Sequence, residues 1–138
     1  MDTVAFQIQQ IRAIRALRVG ARRREHQQSK QALLQAEQAV QQGKDHVATT
    51  EQQALTFQRD GLASLLSDKL VNIDRLAAFQ AEKLQGIHNI RKALEQVDTL
   101  ESQRAQASSL VEEKAAIVQH AEKRLLGIEE VLERQLWK

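Results

Sequence analysis

No proline occurs anywhere in these 138 residues. Proline ends or kinks a helix because it lacks an N–H donor and its ring strikes the preceding turn. A chain this long without one, rich in Ala, Gln, Glu, Leu, Arg and Lys, has the composition of long helices and coiled coils. Aromatic residues make up 3% and tyrosine is absent. Much of the 42% hydrophobic content is alanine, which suits a thin seam between two helices better than a thick layered core.

One stretch breaks the pattern. Leu62 to Phe79, LASLLSDKLVNIDRLAAF, divides the chain almost in half. Ser67, Asp68 and Asn72 are poor in helix interiors, because their side chains compete for nearby backbone groups. Asn72 makes a good N-cap for a second arm, and Asp74 favours the positive helix end. Val71 and Leu76 have the spacing of a hydrophobic staple across that cap. Gly61 loosens the end of the first arm or else the helix runs on to about Ser67. Near-equal arms around a short break predict an all-α fold, a long antiparallel two-helix coiled-coil hairpin. It forms one unit over 1–138, with a first helix over about 3–66, a tip over about 67–72 and a second helix over about 73–136.

The first arm opens near Thr3, a candidate N-cap. Val4, Ile8 and Ile11 mark one helical face. Farther along, Leu33, Ala36, Val40, Gly43, Val47, Thr50, Ala54 and Phe57 keep the alternating three- and four-residue step of a coiled-coil seam, with small side chains. Glycine at position 43 costs about 1 kcal/mol against alanine, so a packing reason is expected there. Continued backwards, the same register puts Ser29, His26, Arg22, Val19 and Arg15 in the seam. Either the register shifts in that region or that face meets something other than the second arm. In the second arm every seventh residue from Leu76 reads Leu76, Lys83, Ile90, Val97, Arg104, Val111, Val118, Leu125 and Leu132. Its apolar companions drift, from Ile73, Ile87 and Leu94 early to Leu100, Ala107, Ala121 and Ile128 later, as a 3.6-residue helix carrying a seven-residue pattern predicts. About 60 helical residues at 1.5 Å each make an arm of about 90 Å. Two helices bury modest apolar area, so a domain-swapped or four-helix dimer stays open beside the monomer.

The turn end is unusually apolar. Leu62, Leu65, Leu66, Leu70, Val71, Ile73, Leu76 and Phe79 either pack on one another to close the tip or dock a partner.

Charge is unevenly spread. Residues 1–30 hold seven basic residues and two acidic ones, net +5, while the remainder holds 13 basic and 16 acidic, net −3. The basic stretch Ile11 to Arg24, IRAIRALRVGARRR, has four readings: a solvated helix end, an amphipathic helix on an anionic membrane or in a transit peptide, a track along a phosphate backbone, or a contact with acidic protein loops. No aromatic or base-reading element accompanies it, which counts against nucleic-acid readout.

Enzyme chemistry has no residues behind it. His26, His46, His88 and His120 are far apart, and none follows a glutamate at the three-residue spacing of carboxylate metal bundles. The five glycines are scattered, and no cysteine supplies a thiolate or a disulfide. The reading is of a non-enzyme with no metal, no cofactor and no catalytic residue. It carries no apolar run of membrane-spanning length and no secretory signal.

The layout resembles the central-stalk proteins of bacterial type III secretion systems, the YscO family of injectisomes and its flagellar counterpart FliJ. The likeness covers most of the chain. It rests on the basic-hydrophobic segment Ile11-Arg12-Ala13-Ile14-Arg15-Ala16-Leu17-Arg18, the Ala/Gln-rich first arm from Ala32 to Val40, and the entry Val71-Asn72-Ile73-Asp74-Arg75-Leu76 followed by Phe79-Gln80. The C-terminal Ile128 to Lys138 matches no signature of that family. The resemblance implies a coiled-coil stalk that enters the hole of a hexameric secretion ATPase, promotes its assembly or activity, and links it to the membrane export gate and to export chaperones. It implies a cytoplasmic place at the inner-membrane face, peripheral to the membrane and without nucleic acid. Arg12, Arg15, Arg18, Arg22, Arg23 and Arg24 would then meet the ATPase, and Leu70, Leu76 and Phe79 the export gate. The alternative from another class is a basic coiled-coil module that binds nucleic acid or an anionic membrane surface.

Overall fold

The protein, seen in a computed structural model that describes residues 2–67 and 72–136, is a two-helix hairpin. Helix α1 spans Asp2–Ser67 and helix α2 spans Ile73–Leu136. Among the described residues there is no strand, and only Asn72 is non-helical. Of the expected tip over about 67–72, residues 68–71 lie outside the described residues. Gly61 does not loosen α1, and Thr3 lies inside the first turn instead of capping it. At the start of α2 the Asn72 side-chain oxygen accepts from the Asp74 N–H at 3.0 Å, and the Asn72 carbonyl accepts from the Leu76 N–H at 3.0 Å. That is the anticipated cap. The staple partner Val71 and the proposed docking residue Leu70 lie outside the described residues.

Packing divides the chain into two units, one made of Met1–Gln35 with Ala105–Lys138 and the other of Ala36–Arg104. They are called here the basal unit and the turn unit.

In the turn unit the seam is built from small residues. Val40, Thr50, Ala93 and Val97 are buried. Gly43 allows the close approach that its position in the sequence suggested: a Cβ there would stand 2.9 Å from Leu100 Cδ1 and 3.3 Å from Val97 Cγ2. Gly86 faces Ala54, with 3.5 Å from its would-be Cβ to the alanine methyl. Near the turn, Phe79 stacks on Phe57 with ring centroids 5.7 Å apart and covers Gly61. The two rings replace the small-residue layers where the helices approach the turn.

The drift expected along α2 is not what this unit shows. Ile87 and Leu94 are 42% and 48% exposed, whereas Gly86 and Ala93 occupy the seam. The companion line is therefore Phe79, Gly86, Ala93 and Leu100, at a constant step of seven. The large aliphatic side chains one position farther on lie on an edge of the hairpin. Among the described residues beside the turn, Leu66 and Ile73 are 84% and 82% exposed and Leu62 and Leu76 are exposed as well, while Leu65 is half-buried.

In the basal unit Val19, Ser29, Val118 and Ile128 are buried. Val19 and Ser29 belong to the same register as Val40 and Thr50, so the register of α1 does not shift. The seam simply tolerates polar residues. Ser29 Oγ donates to the His26 carbonyl at 2.7 Å, as Thr50 Oγ1 donates to the His46 carbonyl at 2.8 Å. Each hydroxyl is satisfied within its own helix, so its burial leaves no orphan donor. Arg15 and His26 are half-buried and Arg22 stays exposed.

Gly127 has no such packing reason, because nothing lies within 4 Å of a Cβ built on it. Gly127→Ala should therefore raise stability by up to about 1 kcal/mol, the helix propensity difference. Thermal unfolding followed by circular dichroism measures it, and a lower midpoint would show a contact that this geometry lacks.

Candidate functional site

The six arginines of the basic stretch all lie on α1 in the basal unit, but they do not form one patch. The seven-residue step sends them to different sides. On one edge, Arg23 holds Glu122 of α2 through two nitrogens at 2.8 and 3.0 Å, and Arg12 reaches Glu129 at 3.6 Å. These are cross-helix ion pairs between exposed partners, each contributing less than about 1 kcal/mol. They fix which side of α2 faces that edge more than they stabilise it.

The opposite edge differs. At steps of seven it carries Val4, Ile11, Arg18 and Glu25 from α1, and Leu110, Ile117, Arg124 and Val131 from α2. Arg15, Arg18, Arg22 and Arg124 line a groove there with Ile117, His120 and Ala121, and no acidic side chain lines it. Arg15 donates to the Arg124 backbone carbonyl at 2.8 Å, which holds its guanidinium in place without neutralising it. Among the described residues, neither Arg18 nor the Arg124 side chain has a carboxylate partner, and Arg24 is likewise exposed and without one.

Glu25 stands beside the groove. It accepts from Arg22 at 3.2 Å and lies 3.6 Å from Lys114 Nζ. The hydrogen bond from Arg22 does most to hold its carboxyl below the usual glutamate range, and the charges of Arg22 and Lys114 add to this against partial desolvation. A carboxyl lowered in the folded state stabilises the fold above its unfolded pKa, and that contribution is lost as pH falls through the folded value. The thermal midpoint of the wild type should exceed that of Glu25→Gln slightly at neutral pH, and the gap should close in acid. A gap unchanged down to the folded value would rule out the linkage.

The sequence alone assigns no contact role to Arg124 or His120. Only the antiparallel register brings them level with Arg15 and Arg18, and a scan along one strand of sequence carries no such signal. In the turn unit, Leu76 is 41% exposed, and Phe79 is half-buried against Phe57. Among the described residues no group of three or more His, Cys, Asp or Glu side chains is placed to hold a metal ion. No helix there is long and apolar enough to cross a membrane.

No family model, no curated protein and no solved structure matches this chain.

Proposed function

We propose that this chain is the central stalk of a type III secretion ATPase complex: it inserts into the hexameric ATPase, promotes its assembly or activity, and links it to the export gate and export chaperones. The observation that carries the reading is the hairpin itself. Two unbroken helices of 66 and 64 residues pack together, with guanidinium groups gathered in the basal unit and bare leucine and isoleucine side chains near the facing ends Ser67 and Ile73. A single hairpin inside a six-fold ring touches unlike subunits unequally. Long charged side chains tolerate that mismatch better than a tight apolar fit, and electrostatics there sets orientation and on-rate more than affinity. Under this reading Arg12, Arg15, Arg18, Arg22, Arg23 and Arg24 meet acidic loops of the ATPase, and Leu70, Leu76 and Phe79 meet the gate at the cytoplasmic face of the inner membrane.

The test is ATP hydrolysis by the candidate partner ATPase, with and without this chain, across a salt series. Stimulation should saturate near one chain per hexamer and weaken with salt. Arg18→Glu together with Arg24→Glu should raise the concentration for half-maximal stimulation by about tenfold. These two break no ion pair among the described residues, so helicity should be retained. No stimulation by a helical, monodisperse chain would overturn the stalk reading. Salt-sensitive binding to DNA or to anionic vesicles in its place would establish the basic-module alternative.

A further inference from the structure

We propose that the arginine-lined groove of the basal unit is a docking site for an acidic amphipathic helix of a partner protein, which lies along this one edge and completes a three-helix bundle. The inference rests on reading the basic end as a protein contact, and it specifies which side of that end is used and by what.

The two edges of the basal unit are chemically unlike. On one, Arg12 and Arg23 are already neutralised by Glu129 and Glu122. On the other, Arg18 and Arg124 have no carboxylate partner among the described residues, and Arg15 is held by a neutral carbonyl. Four arginines thus line a groove of about 320 Å³, and only Arg22 among them pairs with a carboxylate, that of Glu25 beside the groove. Like charges held together in this way repel one another and leave a strong positive potential along the groove, which an acidic partner relieves.

Apart from Glu25, whose carboxylate is taken up by Arg22 and Lys114, the same edge is apolar where it is not cationic. Ile11 and Ile117 are 41% and 40% exposed, each seven residues from a groove arginine on its own helix. Solvated arginines alone would need no aliphatic neighbours at that step. An arginine that follows aliphatic residues at steps of seven on each helix, as Arg18 follows Val4 and Ile11 and Arg124 follows Leu110 and Ile117, matches the face of another helix with apolar and acidic positions in the same step. The guanidiniums from Arg15 to Arg22 span two helical turns, about 10 Å, a length over which a facing helix presents two or three carboxylates. A groove between two helices is also where a third helix seats its core side chains.

A flat lipid surface fits less well. It favours apolar side chains outermost with cations reaching past them, whereas Ala121 and Ile117 lie within the groove among the arginines. A second copy docked through the same edge would set arginines against arginines.

The probe is a labelled synthetic helical peptide, about four heptads long, with leucine at core positions and glutamate beside them. Its control has glutamine for glutamate. Fluorescence anisotropy with the full chain should show binding of the acidic peptide that weakens with salt, and at least about tenfold weaker binding of the control. Arg18→Glu with Arg124→Glu should abolish binding. Arg18→Gln with Arg124→Gln should weaken it by about tenfold with less electrostatic disturbance to the fold. Lys123→Glu, an equal charge change in the same unit but outside the groove, should leave it intact. Equal binding of both peptides, or no effect of the groove variants in chains of normal helicity, would overturn the proposal. So would uptake onto phosphatidylglycerol vesicles without peptide binding, or a dimer that the groove variants dissociate. None of these readouts involves an ATPase, so failure here and failure of the stalk reading are separately visible.

Discussion

Val97→Asp should cost on the order of 3 kcal/mol and melt much of the turn unit. Val97 is buried in the seam, and its γ-methyl lies against Gly43, where a Cβ would not fit without a shift. No basic side chain stands one turn away on α2, at Ala93, Leu94, Leu100 or Glu101, to receive the new carboxylate. A buried ion with no partner must shed its charge, or the helices must separate to let water in. Circular dichroism at 222 nm separates loss of charge compatibility from loss of volume. The Asp variant should regain helicity on acidification, relative to the wild type at the same pH, as its carboxyl protonates. Val97→Ala should be milder and insensitive to pH. An Asp variant as helical as the wild type at neutral pH would mean that this seam is not the source of stability.

Gly61→Ala should lower stability by about 1–2 kcal/mol, although alanine is the better helix former. The methyl would stand 2.5 and 2.7 Å from two carbons of the Phe79 ring, so the ring must leave its place on Phe57. A stacked ring has few rotamers to move into, unlike the terminal methyl of Leu100 that limits Gly43. Pairing the change with Phe79→Leu should recover most of the loss, because the smaller side chain vacates the clash. The thermal midpoints of the two single variants and the double variant form the required cycle. Additive losses would show that the glycine and the ring act independently. Set beside the gain expected for Gly127→Ala, the same change of residue reads opposite signs from open space and from an occluded one.

Some of this was legible before any coordinates, and the reasons are specific. Helix ends are written in local chemistry, so Asn72 and the polar residues around it marked the start of α2 to the residue. Gly43 was legible because a glycine inside an otherwise good helix needs a reason. The seam of α2 was half legible. Its valine and isoleucine line stood out, but its companion line did not, because Gly86 and Ala93 look like nothing in a hydrophobicity pattern while Ile87 and Leu94 beside them look like core. In α1 the polar residues Ser29 and His26 left open either a shifted register or a face turned to something other than the second arm. The structure keeps the register and satisfies the serine within its own helix. The groove was out of reach, because Arg124 and His120 join Arg15 and Arg18 only across the hairpin, and the relevant distance lies between helices, not along one. The exposed leucines beside the turn were noticed, but whether they close on one another depends on packing that spacing does not encode.

The buried hydroxyls of Ser29 and Thr50 have a consequence for alignment. Each donates to a carbonyl one turn back in α1, so neither forms a bond across the seam. A buried asparagine pair in a coiled coil locks one alignment because any slip leaves it unmatched. Here a slip of one heptad leaves both hydroxyls as well satisfied as before. What distinguishes one alignment from the next is the fit of glycines against particular side chains and the ion pairs along the edge. The two buried hydroxyls are thus silent about register, and the polar contacts that oppose sliding lie at the edges, in the cross-helix ion pairs and the Arg15 bond to the Arg124 carbonyl.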